Sequence, residues 1–272
     1  MNARASVAVI MSVYRSDDPQ MLQDAVESIL NQTVLCDLLI YQDGDVPEKL
    51  SNLLKKYKDR NNIKLFINPI NKGLAHGLNY LINESLDKRY DYIARMDSDD
   101  ISRESRIEQQ VKFLNENLDI DVLGTSCREF GASFALEEKH LPKFHEELIN
   151  FSITRCPLIH PSVMFRSSVF KNGIRYPENT TLTEDMALWF LLLNKGYRFA
   201  NLNEILLDYR LNEGTINRRK GFSKAMSEID IRIRNMISLK QVNLKNISLI
   251  GARIIFHLMP GPLIKLAYKK AR

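Results

Sequence analysis

The chain has no run of apolar residues approaching the ~18 needed to cross a bilayer as a helix, so no transmembrane span is expected. Its apolar start, Val7-Ala8-Val9-Ile10-Met11, is too short for a secretory leader. Asp17 and Asp18 follow without a small-residue cleavage site. Cysteine is scarce. Cys36, Cys127 and Cys156 stand far apart with no Cys-x-x-Cys pair, which argues against a disulfide scaffold or zinc ribbon and fits a reducing cytosol. Eleven Gly and nine Pro in 272 residues exclude collagen-like and low-complexity sequence. No G-x-G-x-x-G follows the first strand-like run, which disfavours a nicotinamide-dinucleotide fold, and no G-x-x-x-x-G-K-[ST] marks a P-loop.

What is present is ordinary globular material, 44% hydrophobic and 26% charged, enough to bury a core. The net charge of +5 conceals an asymmetry. Residues 218–272 carry 13 Lys and Arg against 2 Asp and Glu, whereas residues 1–217 carry 25 against 31. An acidic body with a basic end suggests two jobs, and two regions are expected: 1–217, and a helical, basic, amphipathic 218–272.

Along the first half, short β-rich apolar runs alternate with helical spacing. Strands are expected at Ser6–Val13, Asp37–Tyr41, Ile63–Ile67 and Tyr90–Ala94, with helices from Pro19, from Pro47 and over Gly73–Leu86. That alternation predicts an α/β fold with a mostly parallel sheet covered on both faces. Such sheets bind ligands beyond the carboxyl ends of their strands, which singles out Ser12 to Arg15, Asp43 to Asp45 and Met96 to Asp100. The second half is less regular. Strands are expected at Val122–Gly124, Ser126–Phe130, Val163–Arg166 and Ile205–Arg210, and a helix at Thr183–Asn194 stopped by Gly196.

The chain has three Asp-x-Asp pairs, at 43/45, 97/99 and 119/121. The 97/99 pair follows directly on a buried apolar strand, and it carries a third acid, Asp100. Three acids in four residues repel one another, and a hard divalent cation such as Mg²⁺ or Mn²⁺ offsets that repulsion. The competing reading is a solvated turn with Asp100 capping a helix at Arg103–Asn115. The 119/121 pair reads as a surface loop. Asp43 can accept a hydrogen bond from a base N–H, or can simply serve the turn before Gly44. Tyr14 can stack on a base. Thr183-Glu184-Asp185 reads either as an N-cap with two acids complementing the helix dipole, or as a source of a general base.

Taken in order, Ser6–Tyr14, Ser28–Thr33, Ile40–Gly44, Asn71–Gly73, Ile93–Asp100, His160–Arg166, Thr183–Asp185 and Tyr209-Arg210 resemble the family-two inverting glycosyltransferases of GT-A fold. The resemblance covers roughly residues 5–215 and is closest to bacterial O-antigen and exopolysaccharide enzymes of the β-1,3-galactosyltransferase type. It implies transfer of a hexose, galactose or glucose, from a UDP-sugar to a lipid-pyrophosphate-linked or saccharide acceptor, with β linkage. It implies Asp43 at the uracil, Asp97 at the ribose, with Ser12 and Tyr14 also on the nucleotide side. Asp99 would hold Mn²⁺ or Mg²⁺, Asp185 would be the general base, and His160, Arg166 and Glu184 would face the acceptor or donor sugar. Two positions depart from the pattern: Gln42 replaces the first of a usual Asp pair, and Asn212 stands where members often carry His. A metal-dependent nucleotidyltransferase is the rival enzyme, but its Gly-rich basic loop is missing after Val13. The other rival is a non-catalytic nucleotide-sugar-binding subunit, against which the retention of Asp99 and Asp185 argues.

In the basic end, Phe222, Met226, Ile229, Ile233 and Met236 lie on one expected helix face, packed on the core with the charges solvated. A second stripe, Ile247, Ile250, Ile254 and Leu258, precedes Lys265, Lys269, Lys270 and Arg272. A basic amphipathic segment of this kind reads as contact with the membrane surface, so the expected location is cytoplasmic, peripheral on the inner face of the bacterial membrane. Nucleic acid is not expected, because no recognition motif accompanies the charge. Homo-oligomer formation stays open.

Overall fold

The computed structural model describes residues 6–180, 183–213 and 222–258. The first half builds as its alternation predicts: β1 (Val7–Tyr14), α1 (Pro19–Leu30), β2 (Asp37–Asp43), α2 (Glu48–Lys58), β3 (Ile63–Asn68), α3 (Leu74–Asp87) and β4 (Tyr92–Arg95). Asp18 starts α1 by accepting from the N–H groups of Gln20 and Met21. The second half adds β5 (Ile101–Ser102), α4 (Arg106–Glu116), β6 (Val122–Phe130), α5 (His145–Ser152), β7 (Met164–Arg166), α6 (Ser168–Lys171), α7 (Glu184–Asn194) and β8 (Phe199–Arg210). Two helices follow, α8 (Phe222–Ser238) and α9 (Leu244–Leu258).

One eight-stranded sheet runs in the order β3-β2-β1-β4-β7-β6-β8-β5. Its first four strands are parallel, β7 is antiparallel to both β4 and β6, and β6 and β8 are parallel. The carboxyl ends of β1, β2 and β4 therefore share one rim. Residues alternate between two cores. Ala8 and Ile10 pack with Leu78, Phe165 and Trp189 on the α3 and α7 face. Val9, Met11 and Val13 pack with Leu22, Leu54 and Ile107 on the α1, α2 and α4 face.

The expected strands at Val122–Gly124 and Ser126–Phe130 form a single strand, β6, whose pairing with β8 shifts register on both sides of Ser126. A bulge explains the break in the apolar pattern. The helix expected from Arg103 begins at Arg106, because residues 101–102 pair with β8 instead. The short helices α5 and α6 carry too few turns to signal themselves by periodicity.

The two C-terminal helices share the core of the α/β body. Ile229 and Met236 of α8 and Ile250 of α9 pack in the cluster that holds Trp189. Arg232, expected off the packed face, is buried: it pairs with Glu228 at 2.9 Å and donates to the Ser152 and Ile153 carbonyl oxygens at the end of α5. Met226 and Ile233, expected on the packed face, are exposed. The face read from spacing alone was therefore rotated, because the core accepts a long guanidinium that can cap a helix end. Among the described residues no helix is long and apolar enough to cross a membrane. Residues 259–272, with Lys265, Lys269, Lys270 and Arg272, lie outside the described residues, as do the side chains of Ile254 and Leu258.

Candidate active site

The β4 strand delivers Arg95-Met96-Asp97-Ser98-Asp99-Asp100 to the rim. One oxygen from each of Asp97, Asp99 and Asp100 lies within 4.8 Å of the others. Arg95, 1% exposed, forms an ion pair with Asp97. The backbone of the turn is held from two sides. Arg106 donates to the Arg95 carbonyl at 2.6 Å. At the end of β8, the Arg210 N–H donates to Asp100 Oδ1 at 2.7 Å, and its guanidinium donates to the Asp99 carbonyl at 2.7 Å. Asp100 thus braces the turn rather than capping α4. Its other oxygen, Oδ2, is buried with no hydrogen-bond partner among the described residues.

Crowding and burial disfavour ionisation here. Burial, then the charges of Asp97 and Asp17, push the Asp99 carboxyl up to about 6, against the pull of Arg95. Burial and the neighbouring Asp97 and Asp99 push Asp100 well above the usual carboxylate range. Three clustered carboxylates, one with a buried unpartnered oxygen, are the donor set of a hard divalent cation, so the residues present fit Mg²⁺ or Mn²⁺.

A fourth acid joins this group. Asp17, in the turn after β1, accepts at Oδ2 from the Tyr14 N–H at 3.0 Å and from the Ser98 hydroxyl at 2.9 Å. Burial, with Asp97 adding to it, raises its carboxyl to about 6 against those two hydrogen bonds. Asp17 ties the first-strand turn to the acidic turn. Sequence reasoning treated it only as the charge ending an apolar run; its position one turn beyond the strand was the available signal.

The nucleotide-side candidates take three different positions. Tyr14 is 41% exposed at the rim, where an aromatic ring can stack on a planar ligand. Asp43 is 2% exposed and accepts from the N–H groups of Lys72 at 2.7 Å and Gly73 at 2.8 Å. It organises the loop into α3, where Gly73 takes φ +91. Ser12 lies below the rim beside α3, where a Cβ at Gly77 would come within 3.0 Å of its Oγ and 2.7 Å of Tyr41. Only glycine lets α3 approach the sheet so closely there.

On the other side, α7 brings Glu184 and Asp185 in its first turn, with the Cys156 thiol 3.9 Å from Asp185 Oδ2. Thr183 precedes α7, but its buried hydroxyl makes no capping bond, contrary to the sequence expectation. Tyr176 is buried. Burial raises its phenol above the ordinary range, and Arg95, Asp185, Glu184 and Asp97 all act on it electrostatically. His160 shares a 2.9 Å hydrogen bond with that hydroxyl and packs edge-on against Trp189. Burial and Arg95 hold His160 well below its usual pKa, so the ring is neutral. His160 thus supports Tyr176 from beneath.

Arg166 is not part of this group. It pairs in register with Tyr92, at the opposite end of β4 from the acidic turn. Its guanidinium donates to the Ile120, Leu114 and Asn117 carbonyls and to the Tyr92 hydroxyl. The expected acceptor-side position is corrected by the direction of β7: running antiparallel to β4, it carries Arg166 away from the rim. Asn212 is exposed just beyond β8.

The sequence matches the model of the glycosyl transferase family 2 domain over residues 8–174. It is 32% identical to an Escherichia coli UDP-Gal:alpha-D-GlcNAc-diphosphoundecaprenol beta-1,3-galactosyltransferase, over 97% of this chain and 95% of that one. It is 28% identical to the amylovoran biosynthesis glycosyltransferase AmsE of Erwinia amylovora, over 97% and 98%. Among solved structures, Staphylococcus aureus TarS 1–349 in complex with UDP-GlcNAc aligns with a TM-score of 0.66 at 16% identity, over 90% of this chain and 69% of that one. The Pyrobaculum calidifontis mannosyltransferase PcManGT, in complex with GDP-Man and Mn²⁺, aligns with a TM-score of 0.61 at 11% identity, over 98% and 86%. These two likenesses establish the GT-A type of fold.

Proposed function

The chain belongs to glycosyl transferase family 2, and from that premise we propose that it transfers a hexose, galactose or glucose, from a UDP-sugar to a lipid-pyrophosphate-linked or saccharide acceptor in bacterial surface-polysaccharide assembly. The observation that carries the reading is the cluster of Asp97, Asp99 and Asp100 at the carboxyl end of β4, whose oxygens lie within 4.8 Å of one another. The amylovoran biosynthesis relative supports the biological setting, and the galactosyltransferase relative supports galactose as donor sugar and a diphosphoundecaprenol-linked acceptor.

In this reading Tyr14 stacks on the uracil, and Asp97 receives the ribose. Asp43 shapes the loop beside the base and keeps its remaining lone pairs for the base N–H. Asp99, with Asp97 and Asp100 beside it, would hold Mn²⁺ or Mg²⁺, which when bound would neutralise charge on a departing diphosphate. Asp185, in the first turn of α7, takes the proton from the acceptor hydroxyl. The hydroxyl oxygen attacks the anomeric carbon opposite the diphosphate, so one displacement inverts configuration and gives a β-linked sugar. Glu184 meets the acceptor or complements the helix dipole, and neutral His160 keeps Tyr176 in place on the sugar side.

The test is a panel of nucleotide sugars with Mn²⁺ or Mg²⁺ and an undecaprenyl-diphosphate-sugar analogue, read by released nucleoside diphosphate and by product linkage. UDP-hexose turnover lost in EDTA, restored by Mn²⁺, and absent in Asp99→Ala at any metal concentration is the expected result. Full turnover in EDTA sinks the metal assignment, and a retained anomeric configuration sinks the mechanism.

A further inference from the structure

The inner side of the α8–α9 hairpin is docked, through Ile229, Met236, Ile250 and the Arg232 cap on α5. A second anchor fixes its angle: Asn194, at the end of α7, donates to Asn235 at 2.6 Å. The other side should then be polar, as on any surface helix. It is not. Around the turn between the helices, Leu244 is 85% exposed and Ile237 61%, with Val242 and Ile247 exposed beside them. Half of the large apolar side chains exposed among the described residues lie between 226 and 249. Exposed apolar side chains gathered in this way mark an interaction surface.

The charge identifies what covers it. Lys240 and Lys245 are exposed at the same turn, and Lys240 takes φ +55. From residue 231 to the end, the chain carries nine Lys and Arg and no Asp or Glu. Two copies meeting through this turn would oppose like charge to like charge. An anionic lipid surface offers both what the apolar tip and the lysines need, acyl boundary and phosphate. The surface is also not the stripe legible in sequence: Ile250 of that stripe is in the core, and Val242 and Leu244 of the turn replace it.

We propose that the turn between α8 and α9 is a docking surface for an anionic bilayer, with Ile237, Val242, Leu244 and Ile247 entering the headgroup boundary and Lys240 and Lys245 pairing with lipid phosphates. The assignment is independent of sugar transfer, and its test reads no activity.

The full chain is sedimented with vesicles of phosphatidylglycerol and phosphatidylcholine, and with phosphatidylcholine alone, at low and high salt. The wild type pellets with the anionic vesicles at low salt, less at high salt, and little with neutral ones. At about 1 kcal/mol per basic residue, Lys240→Gln with Lys245→Gln weakens anionic binding ~30-fold. Leu244→Ser with Ile247→Ser weakens it by at least ~30-fold, from the apolar area no longer inserted. Circular dichroism and melting verify the fold of both. Should the serine variant unfold, the lysine variant carries the test alone, since it changes only exposed charge. A wild type that stays in solution with anionic vesicles overturns the proposal. So do variants that pellet like the wild type, or self-association without lipid that both variants abolish.

Discussion

Asp43→Asn probes whether this buried carboxylate builds the loop it contacts. The wild-type side chain accepts two backbone N–H groups, from Lys72 at 2.7 Å and Gly73 at 2.8 Å, in a site only 2% exposed. Asparagine has the same shape but one acceptor oxygen, and its NH₂ would face one of those N–H groups. The variant loses one charge-assisted bond, weakens the other, and leaves a buried donor opposite a donor. With such bonds contributing about 1.5–3 kcal/mol and an unsatisfied donor costing about 1–3, a net loss of ~2–4 kcal/mol is expected. At ~2–4 °C per kcal/mol for a chain of this size, the melting temperature falls by about 5–15 °C. Thermal melts give the shift, and hydrogen exchange at Lys72 and Gly73 gives its location: protection there falls more than in β1. Calorimetric titration with UDP, below the melting range, separates the base-reading role from the loop-building one. A melt within about 2 °C of wild type, with unchanged exchange at Lys72 and Gly73, refutes the structural reasoning.

Asp185→Asn keeps the length of the side chain but accepts no proton, so turnover falls by ~10²–10⁴-fold with UDP-sugar affinity nearly intact, while Glu184→Gln loses less; single-turnover kinetics distinguish the two, and wild-type rates in Asp185→Asn reject the base assignment. Asp17 has a folded pKa raised from 3.8 to about 6, so the stability it contributes is complete below the unfolded value and lost as pH rises through 6. In EDTA, the melting temperature of wild type relative to Asp17→Asn therefore declines between pH 4 and pH 7, and a constant offset across that range rejects the shift. Arg232→Met removes the ion pair with Glu228 and two hydrogen bonds to the end of α5, at a cost of ~2–4 kcal/mol in urea unfolding; an unchanged midpoint means α8 is not anchored there.

The parallel half of the sheet was legible because its signals are local. Each strand is a short β-rich run, each helix a 3.6-residue spacing, and a parallel sheet puts every strand's carboxyl end on one rim. That is why Asp43 and the Asp97–Asp100 turn could be named as rim residues from spacing alone. Arg166 could not be placed in this way. Its strand is antiparallel to β4, and no local pattern distinguishes an antiparallel insertion from another parallel strand. The helix face of α8 failed for a related reason, since a hydrophobic stripe does not reveal that the core prefers Arg232 to Ile233.

By itself, then, the sequence determined the α/β class, the rim, the acidic turn and the charge division between body and C-terminal helices, all of which follow from residues near one another in the chain. Tertiary structure alone decided what meets across the rim: Asp17 on Ser98, and Arg210 on Asp100 and on the backbone of the acidic turn. Those contacts join residues about 80 to 110 positions apart, where chain spacing carries no distance information. Side-chain geometry and burial, rather than periodicity, select the partners, because a polar group that leaves water must find a specific neighbour.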